Sequence, residues 1–224
     1  MAYHFEAGEV LLFDKPLRWT SFDLVKKVRN LIRIKKVGHA GTLDPLATGL
    51  MIVCTGKMTK QIDSYQAQEK EYTGTFFLGA TTPCYDLEKE PDQFFPTDHI
   101  TEEMIRGAAV SLTGMISQVP PPHSAVKVNG KRAYEIARMG KDPELKSREV
   151  EIKVFEITQI EMPRIDFRVV CSKGTYIRSL ASDFGKLLGS GAYLEKLCRT
   201  RIGEFTLENA MSLEVFVNRI EAEK

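Results

Sequence analysis

A lone carboxylate, Asp44, stands inside Gly38-His39-Ala40-Gly41-Thr42-Leu43-Asp44-Pro45-Leu46-Ala47-Thr48-Gly49. Glycines and small residues surround it, which allows a ligand to approach the backbone closely. Pro45 fixes the chain just after the acid. The pattern places an acid on a rigid element at a surface crevice. The same Leu43–Leu46 pattern is also that of a turn or a helix N-cap. Phosphate-loop and dinucleotide readings fail, because neither G-x-x-x-x-G-K-[ST] nor G-x-G-x-x-G occurs. A second segment, Cys171-Ser172-Lys173-Gly174-Thr175-Tyr176-Ile177-Arg178, puts Tyr176 and Arg178 in the first turn of an expected helix. An arginine there can hold a carboxylate bidentately and lower its pKa, or simply face solvent. A third, Glu69-Lys70-Glu71-Tyr72, opens an expected strand. A strand tyrosine is ordinarily core or edge, and neither Tyr72 nor His39 signals chemistry by itself.

These segments need elements to hold them. Glu9–Phe13 reads as a strand, and Thr20 or Ser21 caps a helix over about 21–33. Phe22, Val25, Val28, Leu31 and Ile32 share one face of that helix, with the basic residues outward. The Gly-rich loop runs from 38 to 49 into the buried strand Leu50–Cys54. Lys70–Leu78 is a strand, and 81–97 is an acidic, Pro-containing loop expected to be mobile. Ile100–Leu112 is a helix with an Ile100/Met104/Ala108 stripe, and Val119–Pro122 is extended. Ser124–Val128 reads as a strand, Asn129-Gly130 as a tight turn and Ala133–Arg138 as a short helix. A long strand from Val150 carries one bulge after Val154. Ile165–Cys171 alternates as a half-buried strand. Helix Tyr176–Leu188, strand Tyr193–Ile202 and helix Leu213–Ile220 complete the chain. Seven or eight strands and five helices, irregularly interleaved, imply an α+β fold on a mixed, largely antiparallel sheet.

Composition narrows the class. The 224 residues are 43% hydrophobic, enough for a buried core, so disorder of the whole chain is excluded. Cys54, Cys84, Cys171 and Cys198 show neither C-x-x-C nor metal-like spacing, and read as reduced thiols of a cytosolic protein. The N-terminal residues are no signal peptide, and Leu50–Cys54 is far too short to span a bilayer. A net charge of +1, taken as a sum, speaks against nucleic acid. The sum hides a pattern, however: residues 1–60 carry +5, 61–110 carry −7, 111–203 carry +6 and 204–224 carry −3. The densest basic run is Lys26, Lys27, Arg29, Arg33, Lys35 and Lys36, either a solvated helix face or a phosphate-binding ridge.

Together the segments resemble one family. Residues 38–49 are similar to the catalytic motif of the TruB-type pseudouridine synthases, which modify uridine 55 in the T loop of tRNA. The family's other motifs follow in order: Asp14-Lys15-Pro16, Lys70-Glu71-Tyr72, Val119-Pro120-Pro121-Pro122-His123-Ser124-Ala125, Lys127-Val128-Asn129-Gly130, the segment through Arg178, and Leu194-Glu195-Lys196-Leu197-Cys198-Arg199 with Arg201. The resemblance covers about residues 9–217 and implies the pseudouridine synthase fold. It makes Asp44 the nucleophile, Arg178 its salt-bridge partner and Tyr72 the ring that stacks on the target base. Tyr176 sits beside the base as the residue for C5 proton transfer. His39 fills the space left by the flipped nucleotide, Leu197 lines the pocket and Lys15 lies at its edge. Gly41 and Thr42 join the substrate-binding set. Uridine to pseudouridine is an isomerisation, so no redox cofactor and no metal are expected.

The family usually continues after Gly79 with Thr-Asp-Thr-x-Asp-x-x-Gly. Here only Thr82 and Asp86 match. The further expectations are one catalytic domain over 1–224 without a C-terminal PUA domain, a monomer, cytoplasmic location, the tRNA T loop and stem as partner, and no membrane. Two other readings remain at this stage. One is a tRNA-binding or tRNA-folding protein with little catalysis. The other is a glycosidase-type hydrolase, which lacks an evident second catalytic carboxylate.

Overall fold

The computed structural model describes residues 3–124, 126–128 and 130–222. Ala125 and Asn129, parts of two expected motifs, lie outside the described residues. The chain forms two compact units: one holds the residues through Tyr72 and from Leu197 onward, the other Thr73–Lys196. In the first, β1 (Val10–Lys15) is followed by α1 (Ser21–Ile32), β2 (Val37–Ala40), β3 (Ala47–Thr55) and α2 (Ile62–Ala67). Strand β4 (Lys70–Leu78) begins there and continues in the second unit. There follow β5 (Ala80–Thr81), β6 (Gln93–Phe94), α3 (Glu102–Ser111), β7 (Gly114–Gln118), β8 (Lys127–Val128), β9 (Lys131–Arg132), α4 (Ala133–Arg138), β10 (Arg148–Glu161), β11 (Arg164–Cys171) and α5 (Ile177–Leu187). Strand β12 (Ala192–Ile202) leads back to the first unit, which ends with β13 (Phe205–Thr206) and α6 (Leu213–Ala222).

The architecture is α+β on a mixed, largely antiparallel sheet. In the first unit β3 pairs antiparallel with both β1 and β2. Its one parallel neighbour is β12, in the register Leu197↔Ala47 to Arg199↔Gly49. Apolar residues cover both faces of β3. Met51 and Val53 pack with Leu24, Val25 and Val28 of α1 and Phe216 of α6. Leu50, Ile52 and Cys54 pack with Ala40 and Ile202. Burial on both sides is why the run is continuously apolar rather than alternating. Thr20 caps α1: its hydroxyl accepts from the Asp23 N–H, and the Asp23 carboxylate accepts from the Thr20 N–H at 3.0 Å.

In the second unit the strands run β4–β11–β10–β7, with β10 antiparallel to β11 and β7. Phe76, Phe155, Phe167 and Phe184 form its aromatic core, Phe76 and Phe167 lying 4.2 Å apart.

Several expectations need correction. Phe22 is 62% exposed, and Leu24 takes its place under α1. On α3 the buried residues are Ile105, Ala108 and Ala109, while Met104 faces outward. Register slips in β10 fall between Ile152 and Val154 and again between Ile157 and Gln159, not after Val154. The 38–49 segment is not one loop, because its first residues belong to β2. Nor is 81–97 plain loop: β5 pairs with β6, and Thr82, Cys84 and Asp86 are buried.

Candidate active site

Strands β2 and β3 form a hairpin whose connection, residues 41–46, carries Asp44, half-buried. Three backbone fastenings hold this connection. The buried Ser21 hydroxyl accepts from the Leu43 N–H at 2.9 Å and donates to the Leu43 carbonyl at 3.1 Å. The Arg18 N–H donates to the Pro45 carbonyl at 2.7 Å. Arg199, 1% exposed, donates from Nε to the Leu50 carbonyl at 2.8 Å and from Nη2 to the Gly41 carbonyl at 3.1 Å. One guanidinium therefore ties both limbs of the hairpin. Two glycines make this possible. Gly41 turns at φ +88°, and Gly49 at φ +101° lies so close to β12 that a Cβ would stand 2.4 Å from the Arg199 carbonyl oxygen.

Lys15 is fully buried at the end of β1, and its ammonium donates to the carbonyls of Pro16 at 3.0 Å and Trp19 at 2.7 Å. Burial lowers its pKa to about 8, opposed by the attraction of Asp44 and helped by the repulsion of Arg199. Lys15 is thus an electrostatic neighbour of Asp44. His39 lies on β2, paired with Val53, and burial lowers its pKa, favouring the neutral ring. Gly41 and Thr42 open the connection, Thr42 exposed. Leu197, half-buried, pairs with Ala47 at the end of the connection. Tyr72 is buried on β4. The start of that strand is tied down by Thr200 donating to Glu71 at 2.9 Å and by the Arg201–Glu69 ion pair at 2.8 Å.

Tyr176 and Arg178 belong to the second unit. Tyr176 is the N-cap of α5. The buried Gln118 amide clamps its peptide, accepting from the Tyr176 N–H at 2.8 Å and donating to its carbonyl at 3.1 Å. The Arg148 guanidinium lies 4.7 Å over its ring. Arg178, 4% exposed, donates to the carbonyls of Cys84 at 3.3 Å and His123 at 3.2 Å. Its Nε stands 3.7 Å from the Asp86 carboxylate, itself 3% exposed. The Thr82 hydroxyl donates to the Asp86 carbonyl at 2.7 Å. Thr82 and Asp86, the two residues that keep the family pattern after Gly79, are thus those built around Arg178.

Sequence reasoning missed Arg199, Ser21, Gln118 and Asp86 as supports. Arg199 is one of four charged residues in β12, with Glu195, Lys196 and Arg201, so its charge alone did not single it out. No local pattern marked Gln118 or Ser21, whose partners lie 58 and 22 residues away.

A carboxylate held by its backbone in a hairpin connection, with an ammonium beside it, defines a site for covalent or acid–base chemistry on an α+β scaffold. The family description "TruB family pseudouridylate synthase (N terminal domain)" matches residues 29–177. The chain is 57% identical to tRNA pseudouridine synthase B of Parabacteroides distasonis, covering 98% of this chain and 99% of that one. It is 55% identical to the enzyme of that name from Flavobacterium johnsoniae, covering 96% of each. Among solved structures, a chain in the crystal structure of a Cbf5–Nop10–Gar1 complex aligns with TM-score 0.75 at 30% identity. The alignment covers 96% of this chain and 55% of that one, so this chain spans about half its length. The protein belongs to the TruB family of pseudouridylate synthases, and its fold is the pseudouridine synthase fold.

Proposed function

We propose that this pseudouridine synthase converts uridine 55 in the T loop of tRNA to pseudouridine, gripping the T loop and stem. Asp44 is its nucleophile. The observation that carries the reading is the fastening of the Asp44 connection by Ser21 and Arg199, in a chain half identical to enzymes named for tRNA pseudouridine synthesis. The uridine leaves its stack, which costs a few kcal/mol, and Tyr72 offers the base a new surface. His39, neutral and half-buried, fills the vacated space in the loop. Asp44 attacks and later departs, the C–N glycosidic bond breaks, the uracil turns and a C–C bond forms. C5 then loses its proton, with Tyr176 as the residue for that transfer, and N1, freed from the ribose, takes up a proton in its place. Arg178 keeps Asp44 ionised in the role the family resemblance assigns it. Leu197, Lys15, Gly41 and Thr42 line the substrate's path. Isomerisation consumes no oxidant or reductant. The enzyme works as a monomer in the cytoplasm, its chain serving as one catalytic domain.

Incubation with an unmodified tRNA transcript, followed by mapping of pseudouridine, tests the reading. The expected result is pseudouridine at position 55, tritium release from C5-labelled uridine, and neither with Asp44→Asn, which still binds the RNA. Release at the wild-type rate by Asp44→Asn overturns the nucleophile. Binding without release by the wild-type chain makes it a tRNA-folding protein instead.

A further inference from the structure

The mechanism leaves one feature of the first unit unused. Along α1 lies an open cavity of about 420 Å³, lined by Arg18, Trp19, Asp23, Lys26, Lys27 and Asn30. That volume falls within the range of small-ligand sites. Residues 23, 26, 27 and 30 follow the i, i+3, i+4, i+7 spacing and share one face of the helix. Arg18 and Trp19, in the turn before the helix, close the end. Arg18 holds φ +67°, a left-handed conformation that a non-glycine residue adopts only when its surroundings impose it. The carboxylate in the lining, Asp23, is taken up by the helix cap, accepting from both the N–H and the hydroxyl of Thr20. Three cations thus line the cavity against one carboxylate already engaged. Trp19 is half-buried, its inner side packed on the apolar core. Both residues of the turn are bonded to the site. The Arg18 N–H reaches the Pro45 carbonyl, and the Trp19 carbonyl receives the Lys15 ammonium.

We infer that this cavity receives a phosphate-bearing nucleotide of the RNA substrate, distinct from the uridine being isomerised. Its base lies against Trp19 and its phosphate among Arg18, Lys26 and Lys27. An aromatic surface beside a cationic row is the combination that holds single-stranded nucleotides without reading their sequence. The inference rests on the RNA substrate proposed above and adds a second point of grip. Because the turn is hydrogen-bonded to the Asp44 connection, occupancy braces the hairpin that carries the nucleophile.

Trp19 is the one tryptophan of the chain, so its fluorescence reports on this cavity. Asp44→Asn protein titrated with unmodified tRNA transcript shows saturable quenching. Lys26→Ala/Lys27→Ala in the same background needs about tenfold more tRNA for half-saturation. In the active enzyme this double change raises KM for tRNA about tenfold while kcat stays within a factor of about two. Circular dichroism confirms that the exposed double variant is folded. Unquenched Trp19 at saturating tRNA, or an unmoved KM, overturns the inference. Quenching by uridine 5′-monophosphate but not by tRNA assigns the cavity to a free nucleotide and overturns it also. Pseudouridine formation is measured on the active enzyme in parallel. If it is present while Trp19 stays unquenched, only the cavity reading fails. If the wild-type chain forms none, the proposed function fails.

Discussion

Asp44 and Arg178 are held by different physics. The Asp44 connection is fastened through its backbone: Ser21 grips Leu43, Arg199 grips Gly41 and Leu50, and the Arg18 N–H grips Pro45. Arg178 is held by its side chain, with the Asp86 carboxylate and the carbonyls of Cys84 and His123 converging on the guanidinium. The bonds from Ser21, Arg199 and Arg18 to neighbouring peptides fix the place of the Asp44 connection without drawing on the carboxylate. A guanidinium has five N–H donors and can give some to positioning while others serve the site. The first region should therefore break through shape, and the second through charge.

The largest effect expected is at the closest backbone approach. Gly49→Ala puts a Cβ against the Arg199 carbonyl at a positive φ, where neither strand can yield without losing the β3–β12 register. It should cost about 4 kcal/mol of stability in urea unfolding, the upper range for single substitutions. A loss below about 1 kcal/mol means that the strands separate freely and that the shape argument is wrong.

Asp86→Asn comes next. It keeps the volume, the backbone fold around Thr82 and hydrogen-bonding capacity, but removes a buried counter-charge from Arg178. About 2 kcal/mol of stability should go. Because the change acts through charge, kcat should fall while KM for tRNA holds. A loss in Asp86→Ala with little or none in Asp86→Asn makes packing the cause and erases the contrast between the regions.

How far the sequence shows this contrast depends on the range of each interaction. Strands β4 and β11 and helix α5 are legible because alternation and the 3.6-residue period are local. The Asp44 segment stands out as a lone acid among small residues, although the same pattern is also that of a turn. Its hairpin is not legible, because residues 37–40 are too small and mixed to announce a strand, and their order comes from pairing with 52–55. The 81–97 segment misleads for a related reason. Its polarity suggests solvent, yet Asp86 is polar because its partner Arg178 lies far along the chain. Phe22 misleads in the opposite direction, since apolar spacing marks a face without showing which apolar residue the core admits.

The smallest effect tests the ammonium that shares the first region with Asp44. Burial lowers the Lys15 pKa to about 8, against about 10.5 in an unfolded chain. Between those values the unfolded chain keeps a proton that the folded chain has shed. The unfolded state then binds more protons, so stability gains from Lys15 as pH rises from about 8 towards 10.5. Cys54 and Cys84 act the other way, because burial pushes their thiols up to about 11. Their contribution appears equally in a Lys15→Met protein. The difference in unfolding free energy between wild type and Lys15→Met isolates the lysine, and it should shift in favour of wild type across that window. A flat difference means that Asp44 and the carbonyls of Pro16 and Trp19 keep the ammonium charged in spite of its burial. The first region would then be held by charge as well as by shape, and its contrast with the Arg178 region would narrow to one of degree.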